Sequence, residues 1–200
     1  MNKKPYSSAI KKTPFRYIAS KKIAGLMVKG MDRSEIFKKC FDENYIEVDS
    51  PDRRREITNV VYERLLNLDD FLLRQLCDAD VATSKFILVY AIAKSDSLFF
   101  DFMFEVYRDA LLNDKKYISI DDFETFFASK GESDPIVSKW GHFTIAALAK
   151  GYRNILTESG FGRRVKKNIH VEKAMIHPAV QEHIELIHDK EYIQALLGED

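Results

Sequence analysis

Residues 138–170 read SKWGHFTIAALAKGYRNILTESGFGRRVKKNIH. Ile145, Leu148, Ile155 and Leu156 fall at helical spacing up to a glycine turn at Gly160 and Gly162. Beyond the turn, Val165, Ile169 and Val171 alternate as in a short strand. The stretch therefore reads as helix, tight turn and extended ribbon. It is also strongly basic, with seven Lys or Arg against Glu158 alone, and four of the seven lie within 163–167. A helix followed by a cationic ribbon is one way a small domain meets a nucleic-acid backbone. A solvated basic hairpin is the competing reading, because charge runs are a weak signal.

Upstream, Asp134-Pro135 opens the helix that carries Ile136, Val137 and Trp140. Gly141 and Gly151 are the weak points at which it can divide. Before it, Ser119 caps a helix bearing Phe123, Phe126 and Phe127, which Gly131 is expected to end. Downstream, His177-Pro178 starts a helix with Val180, Ile184 and Ile187, and Tyr192 to Leu197 makes a final short one. Two helices, a glycine turn and a hairpin outline a winged-helix-like module over 115–200. The charged, extended segment NDKKYISI at 113–120 sets its boundary with the part before it.

Residues 1–114 read as a helical bundle. Residues 1–13 form a flexible basic arm, and Pro14 suits the first turn of a helix running to about Lys29. Gly30 ends that helix. Asp32 caps the next, with Glu35 three residues on as a capping box. This outline fits a helix-turn-helix or an ordinary corner of two helices. Ser50-Pro51 opens a third helix, and Asp69 or Asp70 a short fourth. The apolar run FILVYAIA at 86–93 marks a buried fifth helix, and Ser95 or Asp96 opens a sixth. Phe86, Leu88, Val89, Ile92, Phe99, Phe102, Met103 and Val106 are expected to form the core of this N-terminal part. The fold class is thus mainly α, a helical bundle followed by a small helix-plus-hairpin module.

Composition narrows the function. The 200 residues carry no net charge, and 46% are hydrophobic and 31% charged, as in a folded globular protein. Neutrality hides segregation. Residues 1–31 carry eight Lys or Arg and no acid, residues 171–200 two Lys and seven acids, and the middle is net acidic. Local field, not net charge, draws a polyanion. Cys40 and Cys77 share no CxxC and read as thiols in a reducing cytoplasm. No signal peptide is visible, and the longest apolar run is far short of the roughly 20 residues a bilayer needs.

The motifs of catalysis are missing. There is no Walker A sequence, HExxH or GxSxG, and Gly160-Phe161-Gly162 follows a helix rather than a strand. His183 and His188 point about 140° apart around a helix. His142, His170 and His177 stand alone in the sequence. Asp52 with Glu56, or Asp121 with Asp122 and Glu124, could hold Mg²⁺, but these carboxylates also suit helix starts. No catalytic residue, metal or cofactor is expected.

The candidate phosphate contacts are cations. Arg53, Arg54 and Arg55 crowd the first turn of a helix, where the dipole disfavours them. Phosphate contact explains them; so does ion pairing with Asp49, Asp52 and Glu56. Lys11, Lys12, Arg16, Lys21 and Lys22 belong to the basic N-terminal stretch. Lys150, Arg153, Arg163, Arg164, Lys166 and Lys167 belong to the C-terminal patch. Few aromatics interleave with them, so stacking on single strands is not favoured and duplex DNA is the expected partner.

Further stretches carry a resemblance: PYSSAIKK, MVKGMDRSEIFKKCFDENYI, SPDRRREITNVVYERLLNL, FILVYAIAKSDSLFFDFMFEV, DDFETFF and LAKGYRNILTESGF. In this order and spacing the sequence resembles the BrxA family of BREX bacteriophage-exclusion systems, over nearly the whole chain. The resemblance implies an all-helical N-terminal part likened to the RNA-binding antitermination protein NusB. It implies phage defence beside a DNA methyltransferase, an ATPase and a phosphatase-like protein, with nucleic-acid binding and no enzymatic activity. It supplies no catalytic residues. Two alternatives stay open: an adaptor that binds proteins of the defence complex, and an RNA binder by the NusB analogy, which is an analogy of fold only.

Overall fold

The computed structural model describes residues 5–199, so Lys3 and Lys4 of the expected arm lie outside it. The chain forms two compact units. One, Phe15–Ser95, is the helical unit; the other, Met1–Pro14 with Asp96–Asp200, is the hairpin unit. The expected boundary at 114/115 falls within the hairpin unit.

The helical unit holds α1 (Tyr17–Val28), α2 (Arg33–Phe41), α3 (Pro51–Leu65), α4 (Asp70–Asp78) and α5 (Val81–Ser95). Its helix ends follow local chemistry. The Asp32 carboxylate accepts from the Glu35 N–H at 2.9 Å, and the Glu35 carboxylate from the Asp32 N–H at 2.8 Å. This reciprocal pair satisfies two donors that the first turn of α2 leaves free. Ser50 caps α3 ahead of Pro51, and Asp69, not Asp70, caps α4. Pro14 does not open α1, which begins at Tyr17 behind Arg16 at φ +57°. Helix α5 is buried throughout Phe86–Ala93, as an all-round apolar helix must be. Helices α3 and α4 pack against it, and α1 against both.

Arg54 holds the loop between α2 and α3. Its guanidinium donates to the carbonyls of Phe41 at 2.6 Å, Val48 at 2.9 Å and Asp49 at 3.2 Å. Phe41 is the last residue of α2, so Arg54 satisfies a carbonyl that the helix end leaves without a partner.

In the hairpin unit, residues 5–14 are no free arm. Ala9–Lys11 form a 3₁₀ turn, Ile10 and Thr13 are buried, and the Tyr6 hydroxyl donates to the Asp101 carboxylate. Burial of Ile10 and this polar anchor outweigh the freedom the charges suggest. The segment crosses α9 (His142–Ser159) at Gly151, where a Cβ would lie 3.6 Å from both the Ile10 carbonyl oxygen and the Lys11 Cα. Gly151 thus marks a close crossing, not a break. The break falls at Gly141, between a 3₁₀ turn at Val137–Lys139 and the start of α9.

Helix α6 (Ser97–Phe102) passes through a π-helical turn at Met103–Tyr107 into α7 (Arg108–Leu112). Helix α8 (Ile120–Ser133) starts at a Ser119–Asp122 capping box and continues past Gly131. Its last turns are held by Lys130, a buried ammonium bound to Asp101 at 3.1 Å and to Glu105. Burial disfavours the charged lysine, but the hydrogen bonds it donates to both carboxylates prevail and raise its pKa. Phe102 stacks on Phe123 at 4.9 Å and meets Phe126 at 5.4 Å and Tyr152 at 5.1 Å. The aliphatic and aromatic residues expected in one core therefore divide. Phe86, Leu88, Val89 and Ile92 belong to the helical unit, and Phe99, Phe102 and Met103 to the hairpin unit. Val106 is only half-buried.

The sequence outlines a hairpin after the glycine turn, two strands; three are present. β1 (Tyr117–Ile118), β2 (Gly162–Val165) and β3 (Asn168–Val171) form an antiparallel sheet in the order β1-β3-β2. The extended segment expected to separate domains is thus an edge strand of this sheet. Helix α9 packs on β2 and β3, and α10 (Pro178–Leu186) and α11 (Lys190–Leu197) close the chain, with α11 against α7. Helix dominates, as the 3.6-residue spacing requires.

Two substitutions test this packing. Phe102→Ala empties the space between three rings and should cost roughly 3–5 kcal/mol in a denaturant titration; under about 1 kcal/mol would contradict its burial. Arg54→Ala should cost about 1.5–3 kcal/mol by the same measurement, because it strips charged donors from three carbonyls. An unchanged midpoint would show the clamp to be unimportant.

Candidate nucleic-acid interface

The hairpin is set by two glycines. Gly160 ends α9 in the left-handed region at φ +89°, where a side chain is strained. Gly162 begins β2 so close to β3 that a Cβ would lie 2.4 Å from Ile169 Cγ2 and 2.9 Å from the His170 carbonyl oxygen. The pairing is in register, with Arg163 opposite His170 and Arg164 opposite Ile169. Directly opposed residues share a sheet face. One face therefore carries Tyr117, His170 and Arg163 in a row across three strands, and the other carries Ile118, Ile169 and Arg164. Ile118 and Ile169 are fully buried, so Arg164 lies on the face turned to α9.

Lys166 turns the hairpin at φ +55°, with Lys167 beside it, and both are exposed. Among the described residues, Arg164, Lys166, Lys167 and Lys150 make no ion pair. Arg163 does: its Nε lies 3.4 Å from Glu172 Oε1, and that oxygen is also 3.8 Å from His170 Nδ1. Tyr117 meets the His170 ring edge-on at 5.4 Å.

On α9, Lys150 is exposed next to the Gly151 crossing, so the Lys11 backbone is brought beside it. Lys12 is exposed on the same segment. Arg153, one turn further along α9, is engaged within the unit. Its Nε donates to the Ala149 carbonyl at 3.3 Å, and its guanidinium lies 6.0 Å from the centre of the Phe123 ring. Burial and the nearby Arg164 charge both lower its pKa. The hairpin unit thus gathers Lys11, Lys12, Lys150, Arg153, Arg163, Arg164, Lys166 and Lys167 around α9 and the hairpin.

In the helical unit the candidate cations are more engaged. Arg54 is taken by the three carbonyls already described. Arg53 pairs with Glu56, one of the acids its sequence context offered, and Arg55 lies over the Phe41 ring at 5.6 Å. Lys22 pairs with Glu47 at 2.7 Å and donates to the Tyr45 carbonyl at 3.0 Å. Arg16 is exposed at the start of α1. Lys21 lies over the Tyr17 ring at 5.8 Å, and Lys85 of α5 over the same ring at 5.7 Å. Lys85 was not a sequence candidate. The Tyr17–Lys21 spacing of four is visible in the sequence, but Lys85 joins them only through the packing of α1 on α5.

Among the described residues, no group of three or more His, Cys, Asp or Glu is placed to hold a metal. Nor is any helix long and apolar enough to cross a membrane.

Comparison with known proteins adds identity to geometry. A family model described as BrxA matches residues 4–187. The BREX protein BrxA of Bacillus cereus (strain H3081.97) is 34% identical over 194 residues, spanning 97% of this chain and 97% of that protein. A crystal structure of an uncharacterized protein from Magnetospirillum magneticum superposes with a TM-score of 0.85 at 20% identity. It covers 98% of this chain and 100% of that one, a likeness of fold. With the family pattern running through most of its length and a relative matching nearly all of it, the chain belongs to the BrxA family.

Proposed function

We propose that the chain is a non-enzymatic, double-stranded DNA-binding component of a BREX phage-defence system, acting in the cytoplasm. The defence role follows from family membership and from the relative that bears the BREX name. The observation that carries DNA binding is the set of exposed cations on and beside the hairpin that have no ion partner among the described residues: Lys150, Arg164, Lys166 and Lys167. Phosphate neutralisation needs cations that are not already paired, since a paired one must first give up its partner. By the same reasoning Lys22, Arg53 and Arg54 contribute less than the hairpin, and Arg54 least. Lys11, Lys12, Arg16, Lys21, Arg55, Arg153 and Arg163 remain supporting contacts. A hairpin held on a helix can follow a groove edge while the helix meets the backbone. Other BREX proteins, the methyltransferase, ATPase and phosphatase-like protein among them, are the proposed protein partners.

Backbone contact makes two demands on a binding measurement. Affinity should depend little on sequence and steeply on salt. With about five phosphates neutralised, the slope of log K against log salt should be roughly −4 to −5, and affinity should fall about 10³-fold from 50 to 200 mM. Replacing Arg163, Arg164, Lys166 and Lys167 together by Ala should weaken binding to every duplex and flatten the slope. The unfolding midpoint should barely move, because exposed substitutions of this kind usually stay within about 0.5 kcal/mol each. If the fourfold variant binds as tightly with the same slope, the hairpin is a solvated face and the protein-adaptor reading takes its place.

A further inference from the structure

Within the hairpin unit, α8 and α9 leave a groove of about 460 Å³ between them. Its volume is that of a small-molecule site. Most of the wall is apolar, with Phe123 and Phe127 from α8 and Ile145 and Ala149 from α9, and His142 at the start of α9 also lines it. Ala149 offers so little side chain that the groove stays open along α9. One end holds Arg153, whose guanidinium rests against Phe123 and makes no ion pair among the described residues. Burial first and the Arg164 charge second lower the pKa of Arg153, so its charge is in need of an anionic partner. An apolar slot that ends on a half-buried cation is matched by a ligand of the same two parts.

We propose that the α8–α9 groove binds a free amphipathic organic anion, an aliphatic or aromatic body headed by a carboxylate or phosphate group. The body lies against Phe123, Phe127 and Ile145, and the head group accepts hydrogen bonds from Arg153, with Arg164 adding to the local positive field. An anion placed there gives the half-buried Arg153 the partner it lacks among the described residues. Glu124 also lines the groove and opposes the head group, which sets the sign of one variant. The apolar walls carry none of the cations on the hairpin tip, and Arg153 and Arg164 are what the groove shares with the DNA-binding reading.

The test titrates the full chain with decanoate and, separately, with decanol, following ¹H–¹⁵N shifts. Decanoate should give saturable shifts confined to α8 and α9 and should bind about tenfold tighter than decanol, the difference one charge-assisted contact makes. Arg153→Gln should abolish that preference while decanol binding persists. Glu124→Gln should tighten decanoate binding. Ala149→Phe should fill the groove and remove binding of both probes while duplex DNA affinity is kept. Should Ala149→Phe fail to fold, the shift map and the Arg153→Gln comparison still decide. Shifts that map elsewhere or do not saturate, equal affinity for the two probes, or undiminished binding in a folded Ala149→Phe variant would each overturn the proposal.

Discussion

A single methyl group at position 162 would collide with Ile169 and with the backbone of His170. That close approach governs the hairpin unit's surface. It seats β2 on β3 in one register, and the register sends Arg163 and Arg164 to opposite faces of the sheet. A slip of β2 by one residue would exchange them, setting Arg163 opposite the buried Ile169. Burial of Ile118 and Ile169 against the rest of the unit therefore fixes which cation looks toward α9 and which toward Tyr117 and His170. Lys166 and Lys167, at the tip, are left to solvent whichever way the sheet packs. Charge placement here follows from apolar packing.

The same economy of side chains recurs where the N-terminal segment crosses α9. Gly151 lets Ile10 and Lys11 lie directly on the helix, and the Tyr6 contact ties the segment to Asp101. Asp101 also receives Lys130, so one buried carboxylate joins the N-terminal segment, α6 and α8. Removing a partner from such a cluster leaves a charge in a poor environment, a larger loss than any surface pair. Lys11 and Lys12 consequently reach the surface from an ordered segment, and their positions are set before any polyanion arrives.

What could be read in the sequence was local. Asp32 with Glu35, Ser50 before Pro51, Ser119, and His177 before Pro178 announce helix starts because the cap and its target lie within three residues. The glycine turn and the alternation after it announced the hairpin for the same reason. The third strand was not legible: Tyr117–Ile118 is two residues long and becomes a strand only by pairing with residues about fifty positions later. Nor was the fate of Ile10, one apolar residue among cations, whose burial depends on a glycine at 151. Arg54 is the clearest case at the candidate site. Its neighbours offered carboxylates, yet its partners are backbone carbonyls, one of them thirteen residues back. Residue type can suggest a charge pair, but it says nothing of where a helix end leaves a carbonyl unsatisfied.

These distinctions rank the basic residues by what holds them. A guanidinium already shared among carbonyls, or an ammonium already paired, offers less to phosphate than an unpaired lysine on a turn. On the proposed function, duplex DNA is met by the hairpin and the adjoining surface of α9. Backbone amide shifts of the full chain, followed during titration with a short duplex at low salt, test it most directly. The largest changes should fall at Arg164, Lys166, Lys167 and Lys150, with Arg54 and its loop nearly still. Changes centred on α3, or none on the hairpin at saturating duplex, would contradict it.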